Sequence, residues 1–75
     1  MVFEEIQKII TQKLGLDLVD VTMDSSLDDD LEADSLDLLD IVVEIEDRFE
    51  MQIPQEDLQE MRKVSDLVSY VESMS

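Results

Sequence analysis

Near the start of this chain, the hydrophobic residues recur at helical spacing. In residues 2–14 they stand three or four positions apart, which places them on one face of a helix; they are Phe3, Ile6, Ile9, Ile10 and Leu14. Glu4 and Glu5 lie where the positive end of the helix dipole would be, and Lys13 lies near its negative end. Gly15 follows, and glycine commonly ends helices. This pattern predicts a first helix over residues 2–14.

A longer helical pattern occupies residues 35–50. With a rotation of about 100° per residue, its main apolar face consists of Leu38, Ile41, Val42, Ile45 and Phe49. A second apolar row, formed by Leu36, Leu39 and Val43, lies farther around the same helix. A small bundle has little room to bury both rows. We therefore expect Leu36 and Val43 to stay partly exposed, and Leu39 to pack under the loop that precedes the helix.

Between these two helices, residues 16–34 show no long periodic run. Their apolar members are Leu16, Leu18, Val19, Val21, Leu27 and Leu31. These are too many for a solvated linker, and a structureless loop of this length is uncommon in a compact domain unless it packs or has a function. We expect a packed loop that crosses the bundle, with a short turn of helix near Leu18.

The last third of the chain predicts two further helices. Pro54 suits the start of a helix but not its interior, so residues 55–61 should form a short one. Ser65 is a candidate N-cap for a final helix that runs to Ser73. The apolar face of that helix is Val64, Leu67, Val68 and Val71. Residues 1–75 are thus predicted to form one all-α domain, a small four-helix bundle with three longer helices, one short helix and a long packed loop between the first two.

The composition argues against catalysis and metal binding. The chain has no histidine and no cysteine, so the usual general base, thiol nucleophile and zinc ligands are absent. The acidic residues between Asp24 and Asp34 do not fit a calcium-binding EF-hand loop, because a loop counted from Asp24 or from Asp28 lacks the required glycine and glutamate. We therefore expect no enzyme activity and no dedicated metal site.

Charge is the most pronounced bulk property of the chain. The net charge is −16, from 21 acidic and 5 basic residues, and the stretch from residue 14 to residue 47 holds thirteen acids and no base. Such a surface repels nucleic acid and anionic lipid and attracts basic protein surfaces. No apolar run approaches the ~20 residues of a membrane span, and the first residues do not resemble a secretory signal. We expect a cytoplasmic protein without nucleic-acid partners or stable membrane insertion, or an organellar one that has lost a transit peptide.

One serine stands where the second helix should begin. In the tetrapeptide Asp34-Ser35-Leu36-Asp37, Asp34 can cap the helix by accepting a backbone N–H. Ser35 would then lie in the first turn with its Oγ outward, where a phosphate ester would face free N–H groups and the positive end of the dipole. On spacing alone the simpler alternative is favoured, in which Ser35 is itself the N-cap.

The wider sequence reverses that preference. Residues 30–37, continued by residues 41–49, closely resemble the signature of acyl carrier proteins, and the resemblance extends over essentially the whole chain. That family carries a 4′-phosphopantetheine arm, taken from coenzyme A, on the serine of its Asp-Ser-Leu motif. The resemblance implies that Ser35 bears the arm covalently, with Asp34 and Leu36 beside it. The nucleophilic thiol would belong to the arm, which is consistent with a polypeptide that lacks cysteine.

The chain departs from this signature at one position. Acyl carrier proteins usually have glycine just before the alanine of the motif, whereas Glu32 precedes Ala33 here. Loss of glycine removes an easy left-handed backbone conformation. We therefore expect the loop that enters the second helix to be shaped differently, without consequence for Ser35.

The resemblance also implies a function. The chain would carry a growing acyl chain as a thioester, shelter it in the bundle interior and deliver it among the enzymes of fatty acid synthesis. The implied partners of this monomeric carrier are a phosphopantetheinyl transferase and synthesis enzymes with basic docking surfaces. The residues expected to meet them are Leu36, Asp37, Asp40, Val43, Glu46 and Asp47. One alternative is a carrier dedicated to a polyketide or another specialised acyl or aminoacyl pathway, and another is an unmodified acidic adaptor or DNA mimic.

Overall fold

The computed structural model describes residues 1–74, which fold into helices joined by loops, as the sequence predicts. The α-helices are α1 (Val2–Leu14), α2 (Ser35–Phe49), the short α3 (Gln55–Leu58) and α4 (Val64–Met74), and a 3-10 helix (Leu18–Asp20) lies between α1 and α2. Within the described range, β-pairing is confined to one isolated bridge between Ser26 and Lys63. The prediction of three longer helices and one short helix is confirmed.

The core forms where α1 packs against both α2 and α4. Its most deeply buried side chains are all aliphatic, namely Ile6, Ile9, Ile10, Val21, Ile41, Ile45, Val64, Leu67 and Val71. Removing one such side chain from water contributes about 1.5–3 kcal/mol, so tertiary packing rather than helix propensity holds these short helices together. Phe3, Leu38 and Phe49 are partly buried and pack against the edge of this core.

The loop between α1 and α2 is packed, as predicted. Val21, Leu27 and Leu31 are buried in the core, whereas Leu18 of the 3-10 helix is exposed. Gln7 of α1 holds the beginning of this loop, because its side-chain amide donates to the carbonyl oxygens of Leu18 at 2.8 Å and Val21 at 2.9 Å. The loop therefore forms a wall of the core with Val21, Leu27 and Leu31 turned inward, whereas Leu18 and Val19 are exposed to solvent.

The same loop also bonds the start of α4. The backbone N–H of Val64 donates to the carbonyl oxygen of Ser25 at 3.0 Å. The N–H of Ser65 donates to the carbonyl oxygen of Met23, also at 3.0 Å. Both donors belong to the first turn of a helix, where N–H groups have no acceptor within the helix. A segment distant in sequence thus satisfies the backbone at this helix start.

The prediction that Ser65 is the N-cap of α4 is wrong. The helix begins at Val64, so Ser65 is its second residue. The Asp66 carboxylate instead accepts the N–H groups of Arg62 at 2.9 Å and Lys63 at 3.1 Å, and these hydrogen bonds lower the pKa of Asp66. Because loop carbonyls and Asp66 bond the backbone N–H groups around this helix start, a serine hydroxyl is not required there.

An ion pair joins the first two helices. Arg48, near the end of α2, donates to the carboxylate of Glu5, near the start of α1, and this hydrogen bond lowers the pKa of Glu5. Both side chains are substantially exposed, so solvent screens the pair and it contributes little to stability. Within residues 1–74, the carboxylates of Asp40 and Asp47, which precede Arg48 in α2, have no such basic partner.

Candidate functional site at the start of α2

The start of α2 is capped by its own residues. Asp34 is extended, and its Oδ1 accepts the backbone N–H of Asp37 at 2.9 Å. Asp37 Oδ2 accepts the N–H of Asp34 at 3.5 Å, which completes a capping box. Caps of this kind typically contribute about 1 kcal/mol. The prediction that Asp34 rather than Ser35 caps this helix is confirmed.

Ser35 is the first residue of α2 and is exposed. Because Asp34 provides the cap, the Ser35 hydroxyl makes no hydrogen bond within residues 1–74. Ser25 differs on both counts, since it is buried and its Oγ accepts the N–H of Thr22 at 3.0 Å. Ser35 thus combines an accessible, unbonded hydroxyl with a position at the positive end of the helix dipole.

The backbone enters this helix start through a left-handed residue. Glu32 has a φ of 54°, which residues other than glycine seldom adopt. On either side of it Leu31 and Ala33 are buried, and the N–H of Ala33 donates to the carbonyl oxygen of Leu27 at 2.9 Å. The expected change of backbone shape is therefore not seen at Glu32. Glu32 adopts the left-handed conformation that glycine adopts easily, and it does so at some energetic cost.

Next to Ser35 begins a row of exposed apolar side chains. Leu36 is 72% exposed and Val43 is 59% exposed, as predicted. Leu39 is 49% exposed, so the prediction that it packs under the preceding loop is wrong. Leu39 instead borders α3, which has only four residues and is too short to cover it. All three side chains of the second apolar row therefore reach the surface.

The carboxylates predicted to meet partners fall into two kinds. Asp40 and Asp47 are exposed, and their carboxylates make no hydrogen bond within residues 1–74. Asp37 is half-buried because it takes part in the capping box. Glu46 is also half-buried, and its Oε2 accepts the backbone N–H of Ile53 at 2.7 Å. The carboxylates of Asp37 and Glu46 therefore bond the protein's own backbone, which the sequence pattern did not indicate.

Two cavities adjoin the start of α2. The first, of about 200 Å³, is lined by Ser35, Leu38, Leu39, Gln55, Leu58 and Gln59. The second, of about 210 Å³, is lined by Leu27, Asp28, Ala33, Leu38, Leu58, Gln59, Met61 and Arg62. Leu38, Leu58 and Gln59 line both, so these side chains separate the surface at Ser35 from a space bordered by core residues.

Sequence reasoning missed the contribution of α3 to this site. Gln55, Leu58 and Gln59 come at least twenty positions after Ser35 and carry no motif of their own. The available signal was a leucine in the short helix predicted after Pro54. That this helix lies beside Ser35 is a property of the tertiary fold.

Among residues 1–74, no group of three or more His, Cys, Asp or Glu side chains is arranged to hold a metal ion. Over the same residues, no helix has both the length and the apolar character required to cross a membrane.

Comparison with known proteins identifies the family. Residues 4–71 match the family described as "Phosphopantetheine attachment site". The acyl carrier protein of Streptococcus pneumoniae is 49% identical over 74 residues, which covers 99% of this chain and 96% of that protein. The acyl carrier protein of Clostridium acetobutylicum is 38% identical over 73 residues, covering 97% and 95% respectively.

Solved structures agree with this result. A chain described as an acyl carrier protein from Mycobacterium tuberculosis has a TM-score of 0.94 at 32% identity, with both chains covered completely. The acyl carrier protein of Enterococcus faecalis has a TM-score of 0.82 at 34% identity, covering 99% of this chain and 94% of that one. The chain therefore belongs to the family of acyl carrier proteins, which hold 4′-phosphopantetheine covalently and act as carriers rather than enzymes.

Proposed function

We propose that residues 1–75 act as one acyl carrier domain, that Ser35 bears the phosphopantetheine arm, and that the chain delivers acyl groups among the enzymes of fatty acid synthesis. The observation that carries the assignment of Ser35 is its exposed hydroxyl, left unbonded by the Asp34 cap at the start of α2. When attached, the arm supplies the thiol that holds the acyl group as a thioester.

The helix start suits a phosphate ester. In the transfer from coenzyme A, the Ser35 oxygen forms a bond to the phosphorus that bears the pantetheine, the bond from that phosphorus to the departing adenosine 3′,5′-bisphosphate breaks, and the hydroxyl proton leaves to a base of the transferase. The first-turn N–H groups that do not donate to Asp34, together with the helix dipole, then stabilise the negative charge of the ester. Asp34 keeps this turn formed through its hydrogen bond to Asp37.

The two cavities support an acyl-binding site in the bundle interior. Leu38 and Leu58 line both the cavity at Ser35 and the adjoining one beside Leu27 and Met61, whose lining also includes the polar side chains of Asp28, Gln59 and Arg62. If Leu38 and Leu58 separated, an aliphatic chain could pass from the arm along the apolar side chains of Leu27 and Met61. The cost is the loss of their mutual dispersion contacts, which the entering chain replaces. We propose this path for the acyl chain.

The face of α2 that begins at Ser35 supports docking to enzymes with basic surfaces. Leu36 and Val43 offer exposed apolar contacts, and the unpaired carboxylates of Asp40 and Asp47 lie on the same helix. Asp37 and Glu46 belong to this docking surface by position, although their structural hydrogen bonds make them poor first choices for mutation. We propose that the carrier meets these enzymes as a monomer in the cytoplasm.

Mass spectrometry tests the attachment site. The chain is incubated with coenzyme A and a carrier-protein phosphopantetheinyl transferase, and the intact mass is measured. We expect one added arm on the wild type and on Ser69→Ala, which removes another exposed serine, and none on Ser35→Ala. An arm on Ser35→Ala would contradict the assignment. An aminoacyl or polyketide group on the arm of protein isolated from native cells would move the function to a specialised pathway.

Binding kinetics test the docking surface. Asp40→Lys should slow association with a fatty acid synthesis enzyme and flatten its salt dependence, because exposed charges act mainly during approach. Val43→Asp should instead speed dissociation, because it places a charge in an apolar contact. Glu56→Lys is the matched control, an exposed acid outside the proposed surface. If Glu56→Lys slowed association as much as Asp40→Lys, partners would be responding to net charge alone.

A further inference from the structure

Three residues of the described chain have a left-handed backbone conformation, and one of them does not end a helix, where this conformation usually occurs. Gly15, with a φ of 68°, ends α1, and Glu50, with a φ of 52°, ends α2, where this conformation is common. Glu32, with a φ of 54°, lies in the loop before Ser35 and ends no helix. Its backbone is therefore held by the loop rather than by a helix terminus.

The hydrogen bonds around Glu32 account for this conformation. The N–H groups of Asp30 and Leu31 both donate to the carbonyl oxygen of Ser26, at 3.2 and 3.0 Å. On the other side, Ala33 is buried and bonded to the loop backbone. The chain must turn between two fixed points, and the turn falls on Glu32. A glycine would satisfy the same hydrogen bonds without the left-handed penalty.

Within the part of the chain that the structure describes, no contact compensates for keeping a glutamate at this position. The carboxylates of Asp30, Asp34 and Asp37 each accept a backbone N–H nearby. The Glu32 carboxylate is exposed and, within residues 1–74, has no hydrogen bond and no ion pair. Strain that the surrounding structure maintains without local benefit often marks a functional position.

The location of Glu32 indicates which partner group its carboxylate would contact. It lies three positions before Ser35, on the loop that leads into α2. An enzyme that transfers part of coenzyme A to Ser35 must bind anionic phosphates close to that hydroxyl, so cationic side chains are expected around its active site. A partner of this chemistry would bring positive charge close to Glu32.

We propose that Glu32 is a specificity-determining residue for phosphopantetheinyl transfer, and that its carboxylate receives a basic side chain of the transferase as the enzyme approaches Ser35. This inference rests on the proposed role of Ser35. It adds to the docking surface an acidic group that lies in the loop, outside α2.

The test compares two isosteric substitutions that remove one charge each. Glu32→Gln keeps the side-chain size, and Asp29→Asn does the same at another exposed, unpaired acid of the same loop. With coenzyme A and a phosphopantetheinyl transferase at low salt, we expect Glu32→Gln to lower kcat/KM about two- to fivefold, the range of an exposed charge pair. The loss should shrink at high salt because ions screen the contact. Asp29→Asn should lower kcat/KM clearly less, and both variants should keep the wild-type Tm.

A third variant separates the side chain from the backbone. Glu32→Gly should raise Tm by about 4 °C, since the strain disappears, and should still lose kcat/KM as Glu32→Gln does. Equal losses in Glu32→Gln and Asp29→Asn, or unchanged transfer to Glu32→Gln, would overturn the proposal. So would a Glu32→Gly variant no more stable than the wild type. Arm attachment to Ser35→Ala, or none to the wild type, would instead contradict the proposed function.

Discussion

The starts of α2 and α4 satisfy their backbone N–H groups in different ways. At α2 the acceptor is local, because Asp34 and Asp37 bond each other across three positions of sequence. At α4 the N–H groups of Val64 and Ser65 donate to carbonyl oxygens of a loop some forty residues earlier. A local cap needs no covering segment, so the start of α2 can stay exposed and Ser35 accessible. The start of α4 is instead held by hydrogen bonds to a distant loop and depends on the tertiary fold.

The loop between α1 and α2 connects the two helix starts. Its first part is bonded to Gln7 of α1, and its middle is bonded to the start of α4. Its last part turns at Glu32 and leads directly into the Asp34 cap. The loop is thus a structural element of the core at one end and the approach to the functional serine at the other.

The largest expected difference between the two regions is the loss of stability when a leucine is truncated to alanine. Leu27 is 3% exposed and its N–H donates to the carbonyl oxygen of Arg62 at 2.8 Å, beside the start of α4. Leu27→Ala should lower the free energy of unfolding by about 2–4 kcal/mol, because it leaves a cavity in the core. Leu36→Ala, at the exposed start of α2, should change it by less than about 0.5 kcal/mol. Urea unfolding of both variants measures this, and similar losses would contradict the distinction.

A smaller effect is expected from the caps themselves. Asp34→Ala removes the acceptor for the N–H of Asp37 and should cost about 1 kcal/mol. Ser65→Ala should cost less than about 0.5 kcal/mol, because backbone carbonyls and Asp66 already satisfy the donors around that helix start. Thermal unfolding of the two variants gives the comparison. A larger cost for Ser65→Ala than for Asp34→Ala would show that α4 depends on a side-chain cap after all.

The smallest effect is a pH dependence at the start of α4. The N–H groups of Arg62 and Lys63 lower the pKa of Asp66 below its ordinary value of 3.8, so the folded state favours the carboxylate. Its contribution is therefore complete above that ordinary value and is lost as the pH falls through the lowered pKa. Asp66 is exposed, so solvent screening keeps this contribution below about 1 kcal/mol.

Asp66→Asn provides the measurement, because asparagine keeps an oxygen acceptor without the charge. The stability difference between wild type and variant should be larger at neutral pH than at pH values well below 3.8. Taking the difference removes the contribution of the other carboxylates, whose mutual repulsion also weakens as they are protonated. A difference that stayed constant or grew with acidification would contradict the role assigned to Asp66.

The local signals in the sequence were sufficient for most of the fold. The apolar spacing of α1, α2 and α4, the glycine after Leu14 and the proline before Gln55 predicted the helices that the structure contains. The Asp34 cap and the exposure of Leu36 were also predicted, since they depend on residues within one or two helical turns. Periodicity and capping are short-range physics, and the sequence expresses them directly.

The tertiary structure decided the features that join distant segments. Ser65 was mistaken for a cap because the carbonyl oxygens that replace it come from the loop. Leu39 was expected to pack under that same loop, but it borders α3, which is too short to cover it. Glu46 bonds Ile53, and Glu32 turns left-handed, because hydrogen bonds elsewhere fix the backbone on both sides. Which carbonyl or side chain meets a given group depends on how the helices pack, and spacing along the chain does not contain that information.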